Sequence, residues 1–448
     1  MSGRGPDRSG PYRALLVLTV GLALHNLVMA LAWQAGIRGT SLDVLAAWKE
    51  ALLLAALAAA LWGARRIPFD RWPDRFALAY AAVVVVWWLL PQSWLGGEAT
   101  ARGELFALRH HLLPVAAYFL GRLLVVAAPQ WRRIGLLLAG LAAALAVWTL
   151  VDVYAVPLQW WRDSGVPGWY REQLGLRYEC LSYLPENWIF NTGDEDNPLR
   201  RGVSTFLSPL ATAYVLVVVL LFLAARRPVR WVVVTGVLAY AGLLWTHTRS
   251  AYPALGVGLL VLAAAQRSRR VATLAIGSVA VSAVFLLAFP SIGPSTSYTA
   301  SELACLRELA AKEGGTGGAL SGDEASSESH LRNLRDGIRV VLRHPWGYGL
   351  GNAGVSAKRT GVEIKAGEST YTELGVDAGL AGALLFIGWL ASLVVALWRP
   401  SPWLASSVVA MAAVALQTDV IGIHWIAVVL FALAGAALTR ADAATLDE

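Results

Sequence analysis

The strongest constraint in this sequence is a series of apolar stretches, each long enough to cross a lipid bilayer as a helix. A spanning helix needs about 20 mostly apolar residues, because the bilayer core offers no partner to a free backbone polar group. Hydrophobic residues make up 57% of the 448 residues, charged residues make up 15%, and the mean hydropathy is +0.55. These values exclude a soluble enzyme, a disordered protein and a small disulfide-held secreted domain. The sequence predicts an all-α, polytopic membrane protein.

Twelve apolar segments are predicted to span the membrane. Arginine-rich connections, such as Arg65-Arg66 and Arg132-Arg133, follow the even-numbered segments. Short cytoplasmic loops collect Lys and Arg, so this register places both termini in the cytoplasm. The same rule explains the net charge of +7 without a nucleic-acid partner. The predicted segments are 14–33, 46–64, 76–92, 105–126, 134–153, 206–225, 231–247, 251–266, 271–290, 371–398, 403–420 and 423–439.

These segments divide the chain into five predicted parts: helices 1–5 (1–153), a long periplasmic loop (154–205), helices 6–9 (206–290), a larger periplasmic loop (291–370), and helices 10–12 with a cytoplasmic tail (371–448). The first loop is rich in Trp and Tyr, which often lie at the bilayer interface. In the second loop, a Gly-, Ser- and Glu-rich segment at 314–329 is predicted to be mobile, and an amphipathic helix is predicted over about 330–343. Cys180 and Cys305 lie one in each loop, where an oxidising compartment would allow a disulfide.

Several arginines of the predicted outer face have no acidic neighbour in the sequence. Arg249 lies in a short turn between two apolar segments, and Arg201 immediately precedes the sixth segment. Such residues either anchor the bundle at the membrane interface or bind an anion, because a guanidinium fits phosphate oxygens in a bidentate way. A lipid-linked diphosphate at the outer leaflet would explain a cationic outer face. The same argument includes the arginines on one face of the predicted amphipathic helix, Arg332, Arg335 and Arg339.

Glu368 is the candidate catalytic residue. It precedes the tenth segment, in which Gly379 and Gly382 allow close helix packing. A carboxylate at the outer mouth of the bundle can act as a general base, or it can neutralise an arginine in a salt bridge. The glycine-punctuated stretch 344–352 is either an ordinary turn or a flexible lip over a site. Further candidates on the outer side are Arg109, His111, His247, His344 and Tyr371.

Four of these stretches together resemble the O-antigen ligase and O-antigen polymerase (Wzy-like) superfamily. They are Thr248-Arg249-Ser250, the run that begins at Arg201, the stretch 344–352, and Glu368-Ser-x9-Gly379-x-x-Gly382. The resemblance implies a GT-C-like inverting glycosyltransferase that moves a glycan from undecaprenyl diphosphate to an acceptor hydroxyl of another glycan. It implies no cofactor, no nucleotide sugar and no obligatory metal. Arg201 and Arg249 would bind the diphosphate, assisted by an arginine at 332–339.

One position departs from the ligase pattern. Where the ligases typically carry His, this sequence has Glu368, which is more like the polymerases and related exopolysaccharide enzymes. The resemblance therefore favours a polymerase over a ligase that joins glycan to lipid A-core, with a chain-length regulator as a potential partner. It also implies the bacterial inner membrane and a periplasmic active site. A transporter or flippase for the same lipid-linked glycan, and a membrane scaffold, are the alternatives from other classes.

Overall fold

A computed structural model describes residues 9–64, 68–192, 194, 196–312 and 324–446. The predicted cytoplasmic pair Arg65-Arg66 and most of the predicted mobile segment 314–329 lie outside these residues. The described chain is almost entirely helical, and its only sheet joins two short antiparallel strands, β1 (Ile189–Phe190) and β2 (Leu199–Arg200).

Nineteen α-helices follow one another along the described chain. Short π-helical turns lie at Trp169–Gln173 and Ile426–Leu430, and 3₁₀ turns lie at Glu186–Trp188 and Ser204–Phe206. The α-helices are α1 (Ser9–Gln34), α2 (Thr40–Ala46), α3 (Trp48–Trp62), α4 (Trp72–Leu89), α5 (Gln92–Leu95), α6 (Ala101–Leu123), α7 (Ala128–Ala155), α8 (Leu158–Arg162), α9 (Val166–Gly168), α10 (Pro209–Ala224), α11 (Arg230–Trp245), α12 (Ala251–Gln266), α13 (Arg269–Ile292), α14 (Ala300–Lys312), α15 (Glu324–Arg343), α16 (Gly354–Thr360), α17 (Thr370–Leu397), α18 (Pro402–Val414) and α19 (Phe431–Leu446).

Every predicted apolar segment coincides with a helix. Within the described residues, α1, α7, α13 and α17 are long and apolar enough to cross a membrane, and α2 with α3 form a fifth span if this pair, bent by 41°, counts as one. Four more apolar helices, α10, α11, α12 and α18, are shorter. The chain is thus an all-α, multi-pass membrane protein, and the number of twelve spans stays a prediction.

The helix α10 forms the centre of the bundle. It begins at Pro209, behind the capping hydroxyl of Ser208, and from Ala211 to Leu223 its side chains are buried. A helix that is apolar on all sides is surrounded either by lipid or by other helices, and the burial of these side chains shows that other helices surround α10. It packs against α7, α11, α12 and α18. The segments that precede α10 and follow α18 are therefore held near each other at one end of the bundle.

Several contacts join the two long connections to each other. A disulfide links Cys180 and Cys305, whose Cα atoms are 5.2 Å apart. Arg162 donates to both carboxylate oxygens of Glu302, at 3.0 and 2.7 Å, and both side chains are buried. The backbone of Leu199 also pairs with that of Ser295. These contacts make one structural unit of segments that are far apart in the sequence.

The aromatic residues of the first connection form the core of this structural unit. Trp161 and Trp188 are fully buried, and Trp169 and Tyr170 pack in the same cluster with Trp33 of α1. These side chains are therefore packed in a protein core, and lipid does not surround them. Composition cannot separate the two outcomes, because Trp and Tyr suit both an interface and a protein core.

A buried polar cluster lies where the beginning of α4 meets the end of α6. Arg122 donates to Asp74 at 2.9 and 3.1 Å and to Asp442 at 2.8 Å, and Tyr118 donates to Asp74 at 2.6 Å. Arg71 also pairs with Asp442. The cluster ties α4 and α6 to α19 and has no counterpart in the motif analysis.

Candidate active site

Arg201 lies against the turn that contains Arg249. Its Nε donates to the carbonyl oxygen of Thr246 at 3.0 Å, and its Nη2 donates to Thr248 Oγ1 at 3.3 Å. Burial, together with the nearby charge of Arg249, lowers the pKa of Arg201 to about 10, which leaves the guanidinium charged at neutral pH. Two cations from segments nearly fifty residues apart are thus brought to one place, as an anion site requires.

The neighbouring residue Arg200 has a different environment. It is buried and pairs with the carboxylate of Asp152 at 3.0 Å, and Trp161 donates to the same carboxylate at 2.7 Å. A buried charge of this kind is stable only with its partner. Of the two adjacent arginines, Arg200 therefore holds the first connection to α7, while Arg201 belongs to the Arg249 cluster.

Tyr214 joins this cluster to the segment that contains Glu368. Its hydroxyl lies 2.8 Å from Ser250 Oγ and 3.3 Å from Thr418 Oγ1. Thr370 in turn donates to the carbonyl of Thr418 at 3.0 Å and accepts from the backbone of Val420 at 3.0 Å. Because Thr370 follows Glu368 by two residues, a continuous chain of hydrogen bonds connects the Arg249 turn with the start of α17.

Glu368 is exposed at the mouth of the bundle. The next residue, Ser369, is buried and donates to the carbonyl of Ala415 at 3.1 Å, and the backbone of Thr370 bonds the same oxygen at 3.0 Å. These two bonds anchor the chain immediately after Glu368 to the end of α18. The carboxylate is thus accessible while its backbone is fixed, which is what a base at a binding site needs.

Residues with a left-handed backbone conformation are concentrated in the segments around Arg201, Arg249 and Glu368. Seven described residues other than glycine have a clearly positive φ, and four of them are Ser204, Leu207, His247 and Glu368, with φ between 47° and 69°. Such a conformation costs about 1–2 kcal/mol for a residue with a Cβ, and it persists where surrounding contacts impose it. Sequence motifs gave no sign of this strain, which singles out the same segments independently.

The glycine-rich stretch 344–352 packs into a kink in α17. Gly347 and Gly379 both have positive φ, and a Cβ on Gly379 would lie 2.8 Å from the backbone of Pro345 and Trp346. The backbone of Leu380 donates to the carbonyl of Pro345 at 2.7 Å. The stretch is therefore held by backbone hydrogen bonds as a closely packed turn, which is the ordinary-turn interpretation and differs from that of a flexible lip.

The predicted amphipathic helix is present as α15, which packs on α17. Gly337 lies against Thr372, and Val341 lies against Gly375. Arg332, Arg335 and Arg339 are exposed and fall on the opposite face of the helix. Arg339 donates to Asp336 of its own helix at 2.9 Å. The packing of α15 therefore directs these arginines away from α17.

Three of the remaining candidates, His111, His344 and Tyr371, contact residues that are not part of the Arg249 cluster. His111 is buried and lies 3.0 Å from Asp377, whose other oxygen accepts from the backbone of Asn352 at 3.2 Å. His344 lies 2.9 Å from the carbonyl of Leu95 and stacks on Tyr348. Tyr371 donates to the carbonyl of Ala412 at 2.8 Å.

His247 and Arg109 lie in two further places. The ring of His247 is buried between Phe190 and Phe289, with centroid distances of 4.3 and 4.1 Å. Arg109 lines a separate cavity, where its guanidinium is 3.5 Å from Glu50.

Two residues that the sequence analysis missed are central to this geometry. Tyr214 lies in the middle of an apolar helix, and Thr418 lies at a position predicted to be helical, whereas α18 ends at Val414. A lone hydroxyl in an apolar run is the signal that identifies Tyr214, since a buried phenol needs a hydrogen-bond partner. Thr418 had no comparable signal, because its role depends on the chain break that follows α18.

Part of the chain matches a known protein family. Residues 234–387 match the family model described as O-antigen ligase. This stretch carries an O-antigen ligase domain. It begins in α11, includes both Arg249 and Glu368, and ends within α17. The resemblance seen in the motifs is confirmed by this match, and the domain is of the type found in membrane glycosyltransferases of O-antigen assembly. No curated protein matches the chain in a sequence search.

Proposed function

We propose that this protein is an inverting glycosyltransferase that transfers a glycan from undecaprenyl diphosphate to a hydroxyl of an acceptor glycan. The observation that carries the proposal is the hydrogen-bonded path from Arg201 and the Arg249 turn, through Tyr214 and Thr418, to the segment of Glu368. An anion-binding pair and a potential base then lie at one end of one bundle. The O-antigen ligase domain at 234–387, which includes two of these residues, supports the same reaction class.

In the proposed reaction, the carboxylate of Glu368 accepts the proton of the acceptor hydroxyl. The hydroxyl oxygen then forms a bond to the anomeric carbon of the donor as the bond from that carbon to the diphosphate oxygen breaks. Undecaprenyl diphosphate leaves with the bonding electron pair, and Arg201 and Arg249 stabilise its developing charge. The exposed position of Glu368 lets it release the proton to solvent afterwards. Any contribution of Arg332, Arg335 and Arg339 would be to attract the anionic donor over a longer distance.

The acceptor separates two forms of this function. The carboxylate at 368, in place of the histidine typical of ligases, favours a polymerase that extends a growing glycan, in O-antigen or exopolysaccharide assembly. The second candidate is a ligase that joins the glycan to lipid A-core, and the description of the matched domain as O-antigen ligase favours it. In both forms we place the site on the periplasmic side of the inner membrane, in a GT-C-like bundle, and a chain-length regulator would be a partner of the polymerase alone.

The product of the purified full-length protein tests this function. Supplied with its undecaprenyl-diphosphate-linked repeat unit in proteoliposomes, a polymerase gives a ladder of glycan lengths and releases undecaprenyl diphosphate. A ligase gives a single block attached to added lipid A-core. If the donor instead crosses the membrane chemically unchanged, the protein is a transporter and the proposal is wrong.

A further inference from the structure

A cavity of about 570 Å³ lies beside the candidate active site, and the residues that line it take no part in the proposed transfer step. It is enclosed by α1, α2, α3, α6 and α16 together with the first long connection. Its volume is typical of sites that bind small or partly inserted ligands.

Two segments connect this cavity with the candidate active site. The first runs from Arg201 to Phe206 and Ser208, which line the cavity. The second runs from Thr418, which contacts Tyr214, to Gly422 and His424, which also line the cavity. Both segments are fixed, since Thr205 donates to the carbonyl of Ala23 at 2.6 Å and the backbone of Gly422 donates to Asp419 at 3.0 Å. A ligand in the cavity would therefore lie next to the residues proposed to carry out the transfer.

Part of the cavity lining is cationic. The guanidinium groups of Arg102, Arg109 and Arg359 surround the ring of Phe106, at 5.2, 5.5 and 4.4 Å from its centre. Lys49 adds a fourth cation to the lining. Two carboxylates lie among these cations: Asp43, which also lines the cavity, and Glu50, which is 3.4 Å from Lys49 and 3.5 Å from Arg109. The four cations therefore outnumber the two acidic groups. Like charges brought together in this way repel one another, so an anion between them would stabilise the arrangement.

The hydrogen bonding of these arginines is incomplete. The ion pair of Arg102 with Asp43 is long, at 4.0 Å, and Nε of Arg109 is buried without a hydrogen-bond partner. Arg359 donates from Nε to the carbonyl of Leu174 at 3.0 Å, and its pKa is lowered to about 10 by burial and by the charges of Arg109 and Arg102. A buried donor without a partner is costly, so the unpaired Nε of Arg109 adds to the unfavourable energy of this cluster of cations.

Apolar side chains also line the cavity. Among them are Leu22 and Met29 of α1, Leu42 of α2, and Trp169 and Leu176 of the first connection. A cavity lined by both cationic and apolar side chains fits an amphipathic anion better than a neutral sugar or a free inorganic ion.

We propose that this cavity binds the phosphate of a lipid-anchored acceptor, with Arg102, Arg109 and Arg359 on the phosphate oxygens and the apolar lining residues around the lipid. The inference rests on the proposed transferase function, because it names the second substrate of that reaction. The two cationic sites then have different roles. Arg201 and Arg249 bind the diphosphate of the donor, and the three arginines around Phe106 bind the phosphate of the acceptor.

Binding of dihexanoyl phosphatidate to the purified full-length protein tests the site without any transfer reaction. We expect saturable binding that Arg102→Gln and Arg359→Gln each weaken about tenfold, since each removes a charged donor. Arg359→Lys keeps the charge and should weaken binding less than Arg359→Gln. The control is Arg38→Gln, because Arg38 is exposed, stacks on Trp33 at 4.5 Å and does not line the cavity. Thermal unfolding of each variant confirms that the fold is intact.

Three results would overturn the inference: equal binding by the wild type and both Gln variants, equal binding of dihexanoylglycerol, which lacks the phosphate, or displacement of phosphatidate by inorganic phosphate at the same concentration. The last result would mean a free-phosphate site. In the transfer assay, Arg102→Gln should raise the KM for the acceptor and leave the KM for the donor unchanged. If the wild type binds phosphatidate through these arginines yet transfers nothing, the proposed function fails while the anion site stands. If the wild type transfers and Arg102→Gln has a normal acceptor KM, the acceptor assignment fails alone.

Discussion

The Nε atom of Arg201 donates to the carbonyl oxygen of Thr246 at 3.0 Å, so the chain before α10 is bound to the turn between α11 and α12. This bond holds Arg201 beside Arg249 and against a turn that lies within the O-antigen ligase domain. Arg201 itself lies outside the matched residues 234–387. A role for the pair therefore depends on a tertiary contact that neither segment specifies alone.

The adjacent residues Arg200 and Arg201 should give opposite phenotypes when they are replaced by alanine. Arg201→Ala should lower kcat/KM for the donor about 10- to 100-fold, the effect of losing a charged hydrogen bond, and the loss of its two hydrogen bonds should cost about 1–3 kcal/mol of stability, less than Arg200→Ala. Arg200→Ala should destabilise the protein by about 3–5 kcal/mol, because it leaves the buried carboxylate of Asp152 without its partner. Donor kinetics and thermal unfolding of both variants check this pair. Equal effects of the two substitutions on kinetics would contradict the division of roles.

Tyr214→Phe should slow transfer about tenfold, because the phenol contributes two hydrogen bonds that hold the Arg249 turn and the Glu368 segment together. Tyr240→Phe is the matched control. Its hydroxyl also makes two hydrogen bonds, to the carbonyl of Ser278 and to Ser282, but these join α11 to α13. A comparable loss of activity in both variants would mean that the effect is one of general packing.

Replacing Cys180 and Cys305 by serine should lower the free energy of unfolding by about 2–4 kcal/mol, because the disulfide closes a loop of 125 residues. The ion pair of Arg162 with Glu302 still joins the two connections, so we expect activity at low temperature to survive. Thermal unfolding with and without reductant measures the effect. A melting temperature that does not respond to reductant in the wild type would show that the bond does not form in the protein.

Glu368→Gly should abolish transfer without destabilising the fold. Glycine adopts the left-handed conformation of position 368, where φ is 69°, without the cost of about 1–2 kcal/mol that a side chain incurs. Part of this gain is offset by the greater freedom of glycine in the unfolded chain, so a rise of at most about 1 kcal/mol is expected. A drop of several degrees in melting temperature would instead assign Glu368 a structural role.

The helices of this fold could be predicted from the sequence because long apolar runs are a local property. The periodicity at 330–343 likewise predicted α15, which extends over Glu324–Arg343. The end of α18 could not be predicted in this way. Ala415 and Leu416 extend the apolar run past Val414, but the backbone there is fixed by Ser369 and Thr370, which are far away in the sequence.

The candidate site could be predicted only in part. Motifs identified Arg201, Arg249 and Glu368, but they gave no reason to separate Arg201 from Arg200, whose difference lies in its buried partner Asp152. The cavity around Phe106 was also missed, although Arg109 was a candidate. Its three arginines come from two helices, and their convergence is a result of packing alone.

The central claim is that Glu368 takes the proton of the acceptor hydroxyl, and Glu368→Gln tests it most directly. The control is Glu363→Gln, the same change at an exposed position five residues earlier, where the carboxylate pairs with Lys365. In purified protein supplied with an undecaprenyl-diphosphate-linked glycan and acceptor, Glu368→Gln should lower kcat about 10²- to 10⁴-fold, with donor binding retained and the control active. Near-normal turnover of Glu368→Gln would contradict the account.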